Sequence, residues 1–356
     1  MARFQLLKYP LVVQEEILRQ IDACILTENS FVSTRFKHLL SNVKIHASSI
    51  TYKVNFTCLA IEVKSDKWSL LIEVGQFQER NWLSNWKINQ IPIESRTMLW
   101  DHVKRKIWYQ CPLTSISEIE ALENLDIHLR SFLKVEKFNV VIRNDPPELL
   151  DFFFWKKSLT FDKIIVDAQF EEGGRNYRTV EMTPDHLKFL EESAPNELHL
   201  NVGTLANRKY EIAQPIPRIH LLNPPMIDLS NILQSGIESI KCQVDQNQTE
   251  VINQVIRKWV QGENQKLECL EFHTSEGCLL CPGLLTDVER ELQPRFSSEE
   301  TIQMFGLQPQ DLIFEIARAT DGRRAALVLN HQKVQILVWT DRRIAEVERR
   351  RRDMIF

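Results

Sequence analysis

The sequence predicts a mixed protein of the α+β or α/β class. Helices come first, then a short antiparallel β region, alternating strands and helices, and a final β-hairpin. Three observations support this prediction: apolar residues at helical spacing before residue 45, a strand–helix alternation from residue 137, and an Asp-Gly turn at residues 321–322. Of the 356 residues, 43% are hydrophobic and 26% are charged, which is typical of a globular chain that buries a sizeable core.

The first 45 residues predict three short helices. Pro10 suits the first helical position, where its missing N–H needs no partner. An apolar stripe at helical spacing follows it, formed by Val13, Ile17, Leu18 and Ile21. Residues 22–29 are polar and predict at most a brief helix, while Ser30 is expected to cap a third helix. A unit this small buries little surface alone, so we expect it to pack against a partner or the rest of the chain.

The next segment has the composition of a short antiparallel sheet. Tyr52–Val63 and Trp68–Val74 are strand-like and are separated by a polar turn at residues 64–67, and Lys106–Cys111 is a third candidate strand. Ser115 or Ser117 is then expected to cap a helix. The apolar stripe of that helix comprises Leu122, Leu125, Leu129 and Phe132.

From residue 137 onward, short β-rich runs alternate with helical runs. The β-rich runs are Phe138–Ile142, Lys163–Val166, Glu197–Val202, Arg218–Leu222, Ser239–Val244 and Leu267–Phe272, and their starts lie 25, 34, 21, 21 and 28 residues apart. The helical runs are Pro147–Trp155, Pro184–Glu192 and Thr249–Val260. This spacing favours a leucine-rich-repeat-like α/β solenoid, with a parallel sheet on one side and helices on the other. A compact α/β domain of equal size is the alternative.

The C-terminal part predicts a hairpin and a charged helix. Leu312–Ala319 and Ala325–Leu329 flank the Asp-Gly turn, and Val334–Trp339 would pair next. Residues 342–352 carry six arginines interleaved with glutamates, which favours a solvated helix over a phosphate-binding segment. We therefore expect four parts, at residues 1–46, 47–135, 136–300 and 301–356.

The sequence offers no catalytic residue. It has only 10 glycines and none of the Gly-rich phosphate loops, zinc-protease motifs or nucleophile elbows of common enzyme classes, so we expect no enzyme activity and no cofactor. Cys269, His273, Cys278 and Cys281 have thiol and imidazole ligands, but their spacing matches no common zinc module, and we expect no metal. The dense aromatic run 152–155 is expected to be core.

Charge and cysteine content indicate the kind of partner and compartment. The formal net charge of −4 gives no basic field for nucleic acid, and no stretch of about 18 apolar residues suits a membrane. The seven cysteines are odd in number and scattered, which is typical of reduced thiols. We therefore expect a cytoplasmic or nuclear protein that binds neither membrane nor nucleic acid.

Two parts of the chain resemble one large family, the nematode-type F-box proteins. Residues 4–40 resemble the F-box itself, through Phe4, Leu6, Leu7, Pro10, Val13, Glu16, Leu18, Asp22, Ser30 and Ser33. Residues 218–272 resemble the F-box-associated (type 2) domain, most specifically at Ile256–Phe272, where a helix ending in Trp leads through a Gly turn to a strand. The closing hairpin with Val338-Trp339 is also similar to that family.

The resemblance implies a substrate-recognition subunit of a Skp–cullin–RING ubiquitin ligase. The N-terminal helices would bind a Skp-type adaptor, and through it a cullin, while the rest of the chain would bind an unknown protein substrate. The implied adaptor-binding residues are Leu6, Leu7, Pro10, Val13, Ile17 and Leu18. Ala23 stands where the family usually has proline. This departure leaves open an alternative, a non-catalytic repeat-type scaffold with a decayed F-box that does not recruit the ligase.

Strand alternation predicts a candidate substrate surface. In each predicted parallel strand the apolar residues face the core, so the intervening polar residues point outward on one face of the sheet. These outward residues are His199, Asn201, His220, Lys241, Gln243 and Glu271. The row is polar and of mixed charge, which suits a protein or peptide partner better than nucleic acid.

Overall fold

The computed structural model describes most of the chain, in segments. The described residues are 8–21, 23–55, 58–66, 68–75, 84–88, 91–99, 104–110, 117–143, 152–157, 159–167, 169–170, 177–178, 180–203, 211–212, 214–222, 229, 232–233, 236–244, 248–274 and 294–353. The chain divides into two compact units, Met1–Ile164 and Ile165–Phe356. The finer subdivision expected at residues 46, 135 and 300 stays a prediction.

The first unit combines helices with a mixed sheet. Its helices are α1 (Leu11–Gln20), α2 (Ala23–Val32), α3 (Thr34–Val43), α4 (Glu118–Phe132) and α5 (Phe153–Lys156). Its strands are β1 (Ile45–Val54), β2 (Leu59–Lys64), β3 (Ser69–Gly75), β4 (Ser84–Ile88), β5 (Ile91–Leu99), β6 (Lys104–Gln110), β7 (Leu133–Ile142) and β8 (Phe161–Val166). They lie in the order β8-β7-β1-β2-β3-β6-β5-β4.

The β region of this unit is not purely antiparallel, contrary to the sequence prediction. β1, β2 and β3 form an antiparallel meander, but β1 pairs with β7 and β3 pairs with β6 in parallel. The predicted run Tyr52–Val63 is also two strands, because the chain reverses after Val54 and Asn55 N–H bonds to the Cys58 carbonyl at 3.1 Å. The composition of this run predicted the strand residues but not the point at which the chain reverses. Before residues 56–57, which lie outside the described part of the chain, Asn55 is the only residue in the run of a type that favours turns.

Three details of the N-terminal helices differ from the prediction. Residues 23–32 form a ten-residue helix rather than a brief one, because Leu26, Ser30 and Phe31 are buried by tertiary packing that overrides the polar composition. The cap of α3 is Ser33, whose Oγ accepts from Phe36 N–H at 3.2 Å, and not Ser30. Pro10 is the residue just before α1, where its extended conformation starts the helix.

The second unit is also mixed. Its helices are α6 (Pro184–Glu192), α7 (Thr249–Gln261), α8 (Ser298–Phe305) and α9 (Asp341–Asp353). Four strands follow β8, of which the first three have two residues each: β9 (Gln169–Phe170), β10 (Tyr177–Arg178), β11 (Val180–Glu181) and β12 (Glu197–Leu200). The remaining strands are β13 (Val202–Gly203), β14 (Arg218–Leu221), β15 (Ser239–Gln243), β16 (Cys269–His273), β17 (Leu312–Ala317), β18 (Arg324–Leu329) and β19 (Lys333–Val338).

The main sheet of the second unit has a parallel part and an antiparallel part. Its strands lie in the order β12-β14-β15-β16-β19-β18-β17. The first four are parallel, and the C-terminal hairpin pairs antiparallel to them through β19. The mixed α/β class predicted from the sequence is therefore confirmed, with a large mixed sheet and several helices.

One face of the parallel strands is the core of the second unit. Leu198, Ile219, Ile240 and Leu270 lie in register across it, and all are buried. α7 contributes Ile252, Val255, Ile256 and Trp259, none of which is exposed to solvent. The helix ends at Gly262, whose φ of 111° suits glycine as a C-terminal cap. Within the described residues, no helix is long and apolar enough to cross a membrane.

Candidate interaction surfaces

The opposite face of the parallel strands carries a polar row. Because side chains alternate along a strand, the residues between the core positions share this face. In register across the sheet lie His199, His220, Lys241, Glu271 and, on β19, Gln335. The row therefore runs across five neighbouring strands, and we call it the sheet-face row.

Neighbouring side chains of the sheet-face row contact one another. The His199 and His220 rings meet edge to face with centroids 4.9 Å apart, and the His273 ring lies 6.2 Å from that of His220. Lys241 Nζ lies 4.0 Å from Glu271 Oε2, which also accepts a hydrogen bond from Gln335 Nε2 at 2.6 Å. Aromatic faces, hydrogen-bonding nitrogens and both signs of charge are thus available along one surface.

Two imidazoles of this surface, those of His220 and His273, are neutral at pH 7. Burial, helped by the nearby His199, His273 and Lys241, lowers the pKa of His220 to about 4 against the opposing effect of Glu271. Burial also lowers the pKa of His273. A neutral ring offers one nitrogen as donor and the other as acceptor, so the row can recognise polar groups without carrying a fixed positive charge there.

The structure brings five of the six predicted substrate residues onto this face. His199, His220, Lys241 and Glu271 form the row, and Gln243 lies opposite His273 in the β15–β16 pairing. The sixth, Asn201, follows β12, and its Nδ2 donates to Asp167 Oδ1 at 3.4 Å. Whether these residues bind a substrate stays a prediction.

Sequence reasoning missed His273 and Gln335 on this face. Extending the alternation of β16 by one residue, past Phe272, would have placed His273 there. Gln335 required knowledge of the antiparallel pairing between β16 and β19, for which the sequence gives no signal.

The second surface is an exposed apolar patch at the start of α1, which we call the N-terminal patch. It comprises Tyr9, Leu11, Val12 and Val13, whose exposed fractions are 45%, 54%, 76% and 40%. Such side chains are normally buried when several are contiguous, so the patch suits a protein partner. Among the predicted adaptor residues, Pro10 and Val13 are exposed here, and Ile17 is half-buried.

Of the other predicted adaptor residues, the structure describes Leu18 alone. Leu18 is fully buried and contributes to the core of the first unit. Leu6 and Leu7 lie outside the described residues. The sequence analysis did not include Leu11 and Val12, because they belong neither to the predicted apolar stripe nor to the residues that carry the F-box resemblance.

The first unit also contains a buried polar contact between α2 and α4. Ser30 Oγ donates to Thr27 O at 2.6 Å and lies 2.8 Å from His128 Nε2. Since the single hydroxyl proton of Ser30 is used, the His128 Nε2–H is the donor in the second bond. The His128 ring also stacks on Phe31, with centroids 4.5 Å apart. Burial, together with Lys37, lowers the pKa of His128 to about 3, so the ring is neutral.

The remaining sequence features are accounted for separately. Phe152, Phe153 and Phe154 are buried, which confirms these three members of the aromatic run as core, while Trp155 is half-buried. In α9, Arg349 and Arg350 pair with Glu346, and Arg351 pairs with Glu300 of α8, as a solvated helix would.

Cys278 and Cys281 lie outside the described residues. Within the part of the chain that is described, no group of three or more His, Cys, Asp or Glu residues could hold a metal ion.

Comparison with known proteins gives one match. No curated protein and no solved structure matches the chain. Residues 211–272, which contain β14, β15, α7 and all but the last residue of β16, match a protein-family model described as F-box associated. This match covers the segment 218–272 for which the sequence alone indicated an F-box-associated domain, and it supports an F-box-associated protein.

Proposed function

We propose that the chain is the substrate receptor of a Skp–cullin–RING ubiquitin ligase, an F-box protein of the nematode type without a catalytic site of its own. The observation that carries the proposal is the F-box associated match at residues 211–272. In such a receptor the chain performs no bond chemistry. It raises the effective concentration of a target's lysines near the ubiquitin-charged enzyme.

The N-terminal patch supports adaptor binding. An F-box is a small helical unit that presents apolar side chains to its adaptor, and α1 to α3 form three short helices in the expected place. Val12, at 76% exposure, and Leu11 are available to a partner without unfolding the unit. Leu18 would contribute indirectly, because its buried side chain holds α1 against the core of the first unit.

The parallel strands of the second unit support target binding through a leucine-rich-repeat-like solenoid. In that architecture the sheet face is an open recognition surface. The sheet-face row lies on that face, and Lys241 is 47% exposed at its centre. We assign the target to this row.

Co-purification with a Skp-type adaptor tests the proposed adaptor binding. We expect the wild-type chain to elute with the adaptor at equal stoichiometry, and Leu11→Asp with Val12→Asp to weaken binding at least a hundredfold. Each apolar side chain is worth about 1.5–3 kcal/mol when fully buried, and 1.4 kcal/mol is a factor of ten. Ile127→Asp on α4, also an exposed apolar position, is the matched control and should bind normally. Absence of the adaptor from the wild-type complex would favour the scaffold with a decayed F-box.

Capture of a target protein tests the proposed role of the sheet-face row. Lys241→Glu combined with His199→Ala should lose the captured protein and keep the adaptor, since the two surfaces belong to different units. Lys188→Glu on α6 reverses an exposed charge outside the row and serves as the control. If the row variant captures the same target as the wild-type chain, the substrate surface does not lie on the sheet-face row.

A further inference from the structure

The face that carries the sheet-face row presents two exposed cations. Arg218 lies two residues before His220 on β14 and shares its face, because side chains alternate along a strand. Arg218 is exposed, and its guanidinium has no hydrogen-bond acceptor and no carboxylate partner among the described residues. The Lys241 side chain is 47% exposed, and its Nζ lies 4.0 Å from Glu271 Oε2, which is beyond hydrogen-bond length. Both cations can therefore bind an acidic group of a partner.

The register places these two cations close together. Arg218 is paired with Ser239, and His220 is paired with Lys241, so Arg218 and Lys241 are diagonal neighbours on β14 and β15. Diagonal neighbours on one face of a sheet are about 7–8 Å apart. Glu271 follows on β16, directly beside Lys241. From β14 to β16 the face therefore carries a cation, a second cation and an anion.

The carboxylates of this face leave that pattern intact. Glu197, the cross-strand neighbour of Arg218 on β12, hydrogen-bonds to His199. Glu271 Oε2 accepts from Gln335 Nε2 at 2.6 Å, and its Oε1 has no donor among the described residues. Glu271 can thus accept from a basic group of a partner. Since Gln335 is only 7% exposed, the accessible part of the face lies on β12, β14, β15 and β16.

The spacing of these four strands fits an α-helix laid across them. Neighbouring strands are about 4.8 Å apart, and one turn of helix rises about 5.4 Å. Over three strand intervals, a helix with one side chain per turn therefore departs from the strand positions by only about 2 Å. An extended segment presents side chains of one face roughly 6.8 Å apart, so it would depart by about 6 Å. A partner segment that contacts all four strands in register is therefore helical.

We infer that the target docks through an α-helix that lies across these strands, with two acidic side chains one turn apart against Arg218 and Lys241 and a basic side chain one turn further against Glu271. The inference rests on the proposed target-binding role of the sheet-face row and specifies the class of target. Exposed ion pairs contribute little each, so the three pairs set the specificity of docking more than its affinity. A helix with like charges at these positions would be rejected.

A designed helix tests the inference. The probe is a capped, alanine-based peptide of sixteen residues, in which Gln, Glu, Glu and Arg are spaced four, three and four residues apart and share one helical face. Alanine favours the helix, and the second Glu also pairs with Arg within it. We expect saturable binding to the full chain by calorimetry at low salt, where exposed ion pairs are least screened.

Two altered peptides test the charges and the helix separately. Alanine in place of both glutamates should weaken binding at least tenfold, because it removes both acidic partners. Proline in place of an alanine between the glutamates keeps every charge but breaks the helix, and should weaken binding similarly. Absence of saturable binding up to millimolar probe, or equal binding of either altered peptide, would overturn the inference.

A charge swap locates the site on the sheet. Lys241→Glu should weaken binding of the probe about five- to tenfold, because it replaces an attraction by a repulsion. A peptide with Lys for the second Glu should bind the Lys241→Glu chain to within about threefold of the original pair, and this recovery would show that the variant is folded. Lys188→Glu, an exposed position on α6, is the matched control and should bind the probe normally. Failure of the swapped peptide to recover binding would refute the assignment.

The outcomes distinguish this inference from the proposed ligase function. If the chain captures a target and co-purifies with the adaptor but does not bind the probe, the helix inference is wrong and the ligase proposal stands. If the probe binds with the expected charge-swap recovery while the adaptor is absent, the helix inference stands and the ligase proposal is wrong.

Discussion

Gly262→Ala tests how α7 and the C-terminal hairpin pack together. Arg318 NH1 donates to the Asn264 carbonyl at 3.2 Å, and Ala319 N–H donates to the Val260 carbonyl at 2.7 Å. These bonds hold the turn of the hairpin against the end of α7. A Cβ added at Gly262 would lie 2.1 Å from Thr320 Cγ2, 2.6 Å from its Oγ1 and 2.9 Å from its Cβ.

The magnitude follows from two separate penalties. At positive φ an L-residue costs about 1–2 kcal/mol, partly offset by the ~0.4–1 kcal/mol that alanine removes from the entropy of the unfolded chain. Overpacking adds about 1–3 kcal/mol, because rotating Thr320 cannot move its Cβ out of contact. We expect Gly262→Ala to destabilise the chain by about 3 kcal/mol, which lowers Tm by roughly 6–12 °C in a unit of this size.

Gly306 provides a matched control for this prediction. It also ends a helix, at φ 65°, but a Cβ there meets nothing within 4 Å. Gly306→Ala should therefore cost only about 1 kcal/mol in thermal denaturation followed by far-UV circular dichroism. In a double-mutant cycle, Thr320→Gly should restore the packing part of the Gly262→Ala loss and not the part due to φ. Equal Tm values for the two alanine variants would refute the packing at the end of α7.

Three further predictions test the cores of the two units. Because His128 is neutral when folded, with a pKa of about 3, and takes up a proton below pH ~6.5 when unfolded, stability should fall by about 2 kcal/mol from pH 7 to pH 5. His128→Gln should flatten that part of the pH profile, and an unchanged slope would contradict the burial of the ring. Asp126→Ala should cost about 3 kcal/mol in urea denaturation, since this fully buried carboxylate accepts from Tyr52 and pairs with Lys157 at 2.9 Å. Asp162→Ala, in a partly exposed ion pair with Lys137, should cost under ~1 kcal/mol. Trp259→Ala should cost about 3–5 kcal/mol and Trp259→Phe much less, because the indole N–H has no acceptor among the described residues; equal losses would contradict this.

Local patterns predicted the elements of the second unit well. The predicted helix Pro184–Glu192 has the observed bounds, since Thr183 caps it and Pro184 occupies its first turn. The predicted β-rich runs at residues 197, 218, 239 and 267 correspond to β12, β14, β15 and β16. Alternation within these short runs also predicted which side chains share a face, because the period of a strand is fixed at two residues.

Pairing and burial in the first unit were less predictable, because both depend on contacts between distant segments. The parallel partner of β1 is β7, about 90 residues later, and no local signal encodes that choice. The helical character of residues 23–32 likewise depends on Ser30 meeting His128 of α4, 98 residues away. Polar composition alone predicted at most a brief helix there, since a buried hydroxyl satisfied by a distant imidazole has the same sequence signature as an exposed one.

The two surfaces of this chain differ in how much of each the sequence could reveal, and the difference has a physical cause. The sheet-face row is defined by strand parity, so four of its five members were predictable before their neighbours were known. The N-terminal patch is defined by the exposure of its side chains. Leu11 and Val12 have the same apolar character as Leu18, and only the packing of α1 separates the buried leucine from the exposed pair. An amphipathic stripe therefore locates the core side of a helix, whereas an exposed side that is also apolar becomes visible only when exposure is measured.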